Sequence, residues 1–515
     1  MPDTKTPGIY IEEMSALPPS VVAVATAVPV FIGYTEFAKH GDTTLENRPF
    51  RIASLLEYEQ HFGKGFQPVF RIETADAGAE SIVLNGKSYR LNYPTSQQFY
   101  LYNSLRLFYA NGGSTCYIYC VDTYGSKPQG IERSATDFTN ALEVLKKEHQ
   151  ITLIIMPDAV TFEEAYTSIY TAVLQHCNEV QSCFAILDLF RQKPGDTIDK
   201  QVKDFRSKIG TANLNYGAAY YPWLNTVVVQ PAEVDLENID FADTNDLSIY
   251  LPEPGVKELM SPQNKLYKAM LPALKMQRKS TKAKYTNQQK VKSIQAKSAF
   301  HQSLKQLSPT YNKIIDAITF SMNQLPSGGA VAGIYSLVDN TSGVWKAPAS
   351  IALNMVNSPA LTIDDLQQQL LNIDIVEGKS INAVRAFTGK GTLVWGARTL
   401  AGNSHEWRYI NVRRTITMIQ QSVKLAMTAY VFEPNDANTW VKVKNMVGIF
   451  LVNLWKQGAL QGVKAEQACF VHVGLGITMT AGDIRNNLMI VEVGLAMLRP
   501  AEFTIIRLQQ KMQQP

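Results

Sequence analysis

A short β-strand cannot stand alone, and this chain carries a strand-prone segment at each end. Near the start runs Thr6-Pro7-Gly8-Ile9-Tyr10-Ile11-Glu12-Glu13. Pro7 and Gly8 oppose a helix, while Ile9, Tyr10 and Ile11 favour extended backbone. No hairpin partner lies nearby, so the backbone donors and acceptors of this arm must pair with something distant. At the other end, Phe503-Thr504-Ile505-Ile506-Arg507-Leu508 is equally strand-prone and equally partnerless. Prolines set both arms apart: Pro18-Pro19 comes after the first, and Pro500 precedes the second. Two such ends either close on each other or reach into neighbouring copies. In the second case the candidate strand-exchange residues are Gly8, Ile9, Tyr10, Ile11 and Glu12, with Phe503, Thr504, Ile505, Ile506, Arg507 and Leu508. Head-to-tail exchange of that kind does not close and generates a helical array.

At 515 residues the whole chain exceeds one compact domain. Val30-Phe31-Ile32-Gly33-Tyr34 reads as a buried strand, and Asn85-Gly86 as the turn of a hairpin flanked by Ser81–Leu84 and Ser88–Leu91. A helix over 99–109 stops at Asn111-Gly112-Gly113, and the strand Cys116–Val121 comes next. Strands and helices then alternate. Asp137 is placed to cap a helix with inner face Phe138, Ala141, Leu142 and Leu145. The strand 151–156 precedes a helix capped by Thr161 with Glu164, and strands at 183–187 and 216–221 flank a helix near Asp204. This order predicts a parallel or mixed sheet. The glycine-rich turn of a nucleotide site is missing.

Charge gives one local signal. The net charge is +4, but between Glu258 and Asp316 stand twelve Lys/Arg and no acid, Lys275, Arg278, Lys279, Lys282, Lys284, Lys290 and Lys292 among them. That run suits either a polyanion-binding patch or a solvated helical insert, with Val291, Ile294, Phe300 and Leu304 available to dock it; solvation is the expectation. Further on, Ile416, Ile419, Val423, Met427 and Tyr430 share one helical face. A second helix carries Trp440, Val443, Val447, Phe450 or Leu451, and Leu454, with Gly458 placed at its C-terminal cap. Strands over 469–475 and 489–498 flank a short helix near Asp483.

The residues offer no enzyme chemistry. Gly389-Lys390-Gly391 lacks the upstream glycine and the downstream Ser/Thr of a phosphate loop, since Val384 and Gly391 stand there. His405-Glu406 has Tyr409 where a zinc motif needs its second histidine, and Asp364-Asp365 after Thr362 fit a helix start. Five cysteines (Cys116, Cys120, Cys177, Cys183, Cys469) have neither metal-ligand spacing nor a disulfide pattern and are expected to be reduced thiols. Met1-Pro2-Asp3-Thr4-Lys5 lacks a secretory apolar region, and the apolar stretch Val21–Tyr34 is too short to span a bilayer. No cofactor or metal is expected.

Several of these stretches, taken with their order, resemble one family. Thr6–Glu13, Pro18-Pro19-Ser20-Val21, Phe31-Ile32-Gly33-Tyr34-Thr35 and Tyr102-Asn103-Ser104-Leu105 resemble the start of contractile phage-tail sheath proteins. So do, in the last third, Lys379-Ser380-Ile381-Asn382, Trp395-Gly396-Ala397-Arg398-Thr399-Leu400 and Trp407-Arg408-Tyr409-Ile410-Asn411-Val412-Arg413-Arg414. Phe432-Glu433-Pro434-Asn435, Gly458-Ala459-Leu460-Gln461-Gly462 and Arg499-Pro500-Ala501-Glu502-Phe503 complete the set. The wording is nearer to extracellular injection particles of the antifeeding-prophage type than to ordinary phages.

The resemblance implies a mixed α/β (α+β), multidomain subunit. An N-terminal arm (1–20) and a C-terminal arm (499–515) flank an inner domain built from 21–120 and 344–498. An outer α/β domain (121–343) is inserted, with the basic run 259–315 inside it. It implies arms that add strands to neighbouring subunits and copies that assemble as a helical homo-oligomer of hexameric rings. An extended sheath around an inner tube then contracts to drive the tube through a target envelope. Implied partners are the tube, baseplate and terminal cap proteins and sister sheath proteins, without nucleic acid or membrane insertion. Assembly would be cytoplasmic, in a phage tail or a released particle. In the family an innermost element touches the tube through complementary charge. Lys442, Lys456 and Lys464, turned from the apolar stripe of the helix over 439–457, are the candidates here, weighed against simple solvation. The competing readings are a decorated α/β enzyme and a polyanion- or surface-binding module using the basic run.

Overall fold

The computed structural model describes residues 20–74, 81–125, 130–191, 195–240, 250–261, 263–278, 287–374 and 376–502. Both strand-exchange segments, Gly8 to Glu12 and Phe503 to Leu508, lie outside the described residues, as do Lys279, Lys282 and Lys284. The chain divides into two units. One comprises 25–415 with 502–515, the other 416–501 with 1–24.

The larger unit is organised by a nine-stranded sheet. Its strands are β1 (Pro29–Thr35), β2 (Pro49–Ile52), β3 (Cys116–Thr123), β4 (Leu153–Ile155), β5 (Phe184–Asp188), β6 (Gly217–Tyr221), β7 (Ile351–Ala352), β8 (Ile381–Phe387) and β9 (Gly391–Trp395), in the order β7-β9-β8-β6-β5-β4-β1-β3-β2. The six inner strands run parallel, and β2, β9 and β7 add antiparallel edges. A parallel sheet is buried on both faces, which is why its strands read as nearly unbroken apolar runs. The strand period of two then divides each run between two cores. Val30, Ile32 and Tyr34 enter one, with Tyr119, Ile154 and Leu187, under helices α2 (Ala135–Leu145), α3 (Tyr166–Val180) and α4 (Ile198–Lys208). Phe31, Ile118, Ile155 and Ile186 enter the other, with side chains of α1 (Leu101–Ala110) such as Leu105 and Phe108. The expected inner stretch (β1, β3, β8) and the expected inserted stretch (β4, β5, β6) thus supply adjacent strands of one sheet.

Asp158 fastens the crest of this sheet. It is fully buried; one carboxylate oxygen accepts from the Tyr34 N–H at 3.0 Å and the other from the Tyr100 N–H at 2.5 Å. Burial pushes its carboxyl up to about 6, against the pull of those N–H groups and of Arg133. Gly33 must be glycine because a Cβ there would stand 2.4 Å from an Asp158 oxygen and 3.3 Å from the Leu101 Cβ.

Two capping expectations are corrected here. Helix α2 is capped by Ser134, whose hydroxyl accepts from the Thr136 N–H, and Asp137 sits inside the first turn. Thr161 caps nothing: it ends a 3-10 turn over Pro157–Thr161, accepts from Arg133 at 2.6 Å, and α3 begins only at Tyr166. The strands over 151–156, 469–475 and 489–498 are shorter than expected, at Leu153–Ile155, Cys469–His472 and Glu492–Leu495. The hairpin turn is as expected, with φ of 52° at Asn85 and 72° at Gly86.

The described part of the basic run docks through Phe300 and Leu304, as expected, and does so firmly. Helices α5 (Lys265–Arg278), α6 (Asn287–Leu307) and α7 (Pro309–Met322) build a third core in which Phe300, Leu304, Tyr311 and Ile318 are fully buried with Phe70 and Leu84 of the hairpin sheet. Val291 and Ile294 instead face solvent, at 54% and 56% exposure. Lys297 is neutralised by Asp235 at 2.8 Å and Glu237 at 2.5 Å.

Candidate functional site

In the 416–501 unit, Asp436 caps helix α11 (Ala437–Lys456; α8, α9 and α10 are Gly328–Ser342, Asp365–Asn372 and Ile410–Met427) by accepting from the Thr439 N–H at 2.9 Å. Val443, Val447, Phe450, Leu451 and Leu454 form its buried stripe, and Gly458, at φ 80°, stands just past its end in the left-handed conformation that glycine tolerates. Strands β10 (Cys469–His472) and β11 (Glu492–Leu495) pair antiparallel. Among the described residues neither has a second strand alongside, so each presents an open edge along its own length; just past β11, Leu460 bridges Met497 and the Gln461 N–H donates to the Ala496 carbonyl. A two-stranded ladder is barely stable by itself. Large apolar side chains crowd the surface of this unit: Phe432 is wholly exposed, Val463 88%, Ile477 67% and Ile449 62%. Such exposure suits a surface meant to be covered.

The lysine candidates fall where the sequence placed them relative to the apolar stripe. Lys442, Lys456 and Lys464 are all exposed, and no ion pair ties them to an acid among the described residues. Lys442, Ile449 and Lys456 succeed one another at heptad spacing, which sets them on one side of α11. Lys464 stands apart, at the start of the short helix Ala465–Ala468.

Sequence reasoning missed two anchors in the larger unit, one at the root of each arm. At the C-terminal root, Glu502 is gripped by Arg398, whose Nη2 and Nε donate to it at 2.7 and 2.9 Å. Asn372 Nδ2 adds a bond at 2.9 Å and the Tyr409 hydroxyl one at 3.2 Å. Burial works to raise the Glu502 carboxyl, but the bonds from Arg398 and Asn372 and the Arg398 charge win and hold it below the usual range. At the N-terminal root, Thr26 Oγ1 donates to Asp339 at 2.6 Å, and Arg414 donates to both Asp339 oxygens (2.6 and 3.0 Å) and to the Thr26 carbonyl (2.9 Å). The Arg414 guanidinium also lies 4.7 Å from the centre of the Tyr335 ring.

The remaining chemistry is structural. Asp364 caps α9 and Asp365 pairs with Arg385 at 2.9 Å. Gly389 and Gly391, at φ 75° and 78°, form the tight turn between β8 and β9. The Cys177 and Cys183 thiols touch at 3.2 Å, a contact hidden by the helix end between them. No cluster of metal-ligating side chains occurs among the described residues, and no described helix is long and apolar enough to cross a membrane.

Comparison with known proteins agrees with this architecture. Residues 403–511 match the phage tail sheath C-terminal domain. The tail sheath protein of Vibrio phage KVP40 is 26% identical over 136 residues, 26% of this chain and 20% of that protein. That of Burkholderia phage BcepMu is 28% identical over 159 residues, 30% of this chain and 33% of that protein. The matched segments therefore span a fifth to a third of these relatives. Whole-chain similarity comes from solved structures. The PVC sheath complex of an extracellular contractile injection system, in its contracted state, is 26% identical with a TM-score of 0.60 over 99% of both chains. The anti-feeding prophage helical sheath, also contracted, is 27% identical with a TM-score of 0.59 over 99% of this chain and all of that one.

In fold and in its C-terminal domain the chain is similar to contractile tail sheath proteins. Its end-to-end likeness is to the sheath subunits of extracellular contractile injection systems.

Proposed function

We propose that this chain is the polymerising subunit of a contractile sheath and that it works by strand exchange, without a catalytic step. The observation that carries the reading is the β10–β11 ladder, with two open edges, in a chain that brings one strand-prone segment at each end. Arms from neighbouring copies add to those edges and turn two strands into four, converting unpaired backbone groups into an inter-subunit ladder. Each arm leaves a charged anchor, Thr26–Asp339–Arg414 or Glu502–Arg398, so tension in a linked lattice is taken up by the larger unit.

The sheath encloses an inner tube. Lys442 and Lys456, with Lys464, meet an acidic patch on it through surface ion pairs worth about 0–1 kcal/mol each, weak enough to release. Contraction is relaxation of a metastable lattice held by a kinetic barrier and needs no nucleotide. Baseplate and cap proteins close the two ends, and the helical lobe carrying the basic run faces outward.

The test is truncation. Removing residues 1–16, or 503–515, should leave a folded subunit that forms no sheaths by negative-stain microscopy. Sheaths of normal length from either truncation would overturn the strand-exchange reading.

A further inference from the structure

Helix α9 lies in the larger unit and shows solvent an apolar stripe. Leu366 is 72% exposed, Leu370 and Ile373 47% each, and Val376, just beyond the helix, 90%. The spacing of Leu366, Leu370 and Ile373 puts them on one side, while Leu371 on the other is fully buried. The stripe borders a cleft of about 1020 Å³ against α4, whose lining includes seven acidic and five basic side chains. Most of those charges are already paired, Asp196 with Lys200, Asp199 with Lys203, Glu164 and Asp204 with Lys208, and Asp374 with Arg206, so what the described residues leave uncovered is the apolar stripe.

The described chain ends beside it. Glu502 accepts from Asn372, the last residue of α9, and Arg398 fixes it there. Past Glu502 the sequence runs Phe503-Thr504-Ile505-Ile506-Arg507-Leu508, then Lys511 within the last residues, and holds no acid at all. In an extended strand Ile506 and Leu508 lie on one side about 6.7 Å apart. Leu366 and Leu370 are about 6 Å apart along their helix. An eight-residue helix is about 12 Å long, well within the roughly 43 Å that thirteen extended residues can span.

We infer that the stripe Leu366–Leu370–Ile373 is the docking site of the chain's own C-terminal arm in the unassembled subunit. Ile506 and Leu508 cover the stripe, and Arg507 lies on the other side of the strand. The arm is then a stored strand. Donating it to a neighbour uncovers α9, so premature exchange between free subunits is opposed by the contacts it must give up. This last step rests on the strand-exchange reading; the docking itself does not.

The experiment uses the full chain with Cys469→Ser, Leu370→Cys and Ile506→Cys, oxidised as a dilute monomer. The expected result is a disulfide within one chain, identified by peptide mass, with amide exchange in 366–372 speeding up severalfold when the chain is stopped after Glu502. A cross-link formed only between two chains would put a second copy on the stripe. No cross-link, with exchange unchanged by the truncation, would leave it uncovered. Either result overturns the inference. If the cross-link forms within the chain while arm-truncated subunits still build normal sheaths, strand exchange fails and the docking stands.

Discussion

Replacing Asp339 by Ala tests the anchor at the N-terminal root. The pair it breaks is deeply buried, with the Arg414 and Asp339 side chains 4% and 2% exposed. The variant leaves a guanidinium out of water with, among the described residues, the Thr26 carbonyl and the Tyr335 ring to face, and it strips the Thr26 hydroxyl of its acceptor. Removing one partner of a buried ion pair costs about 3–5 kcal/mol. Unfolding entropy near 2.1 cal/mol/K per residue gives the larger unit, with roughly 405 residues, about 0.85 kcal/mol/K, so its Tm should fall by about 4–6 °C. Replacing both charges, as Asp339→Leu with Arg414→Met, should recover most of that loss, because an apolar pair avoids the desolvation penalty. The assay is thermal melting of the unassembled subunit by circular dichroism, read on the transition of the larger unit. A drop below about 1 °C for Asp339→Ala, or a double variant no better than the single, would refute the claim that this pair locks the root.

Other expectations rest on contacts of the same kind. Glu502→Gln loses the charge that Arg398 grips, so limited proteolysis beyond residue 502 should quicken while the main melt holds; equal cleavage would show that the anchor does not restrain the arm. In the wild type its folded carboxyl sits below the unfolded value, so the anchor's contribution is present above about pH 4.3 and fades as pH falls through the lower folded value. Asp188 has the opposite sign: burial pushes it up to about 7, so its charge destabilises the fold above that pH, and the penalty disappears on acidification towards 3.8. Asp188→Asn, which can still accept from Ser327 and the Gly328 N–H, should therefore melt no lower than wild type at pH 8 and lose that advantage at pH 4; a variant weaker at pH 8 would contradict the assignment. Gly33→Ala drives a Cβ to within 2.4 Å of Asp158 and should cost about 1–3 kcal/mol of overpacking, visible as a lower melt and poorer soluble yield; a variant melting within a degree of wild type would overturn it.

Much of the larger unit was legible because local and global signals coincide there. Phe31, Ile154 and Ile186 lie in strands buried on both faces, and such strands write themselves as continuous apolar runs. The turn at Asn85-Gly86 and the cap at Gly458 were legible because each needs a backbone conformation few residues adopt. The expectations that failed depend on distant partners. Thr161 has the composition of a cap, but Arg133 occupies its hydroxyl and the helix starts later. Phe300 and Leu304 looked sparse because α6 packs through one narrow face, while the residues that complete their core, Phe70 and Leu84, lie far up the chain. Arg398 and Glu502 both stood in stretches the sequence singled out, yet nothing local pairs residues 104 positions apart. Spacing showed that Lys442 and Lys456 avoid the apolar stripe, but spacing says nothing of what they touch.

The open ladder has a consequence in stoichiometry. On the proposed strand exchange, each subunit brings two strands and offers two edges, so donors and acceptors balance wherever a subunit has neighbours on all sides. The balance breaks only at the terminal rings. If arms point one way along the helix, one end of the polymer carries unfilled edges and the other unspent strands. The two ends are then chemically different surfaces built from identical subunits. Growth has a direction, and a protein that presents a strand can terminate only one end, while a protein that presents an edge can begin only the other.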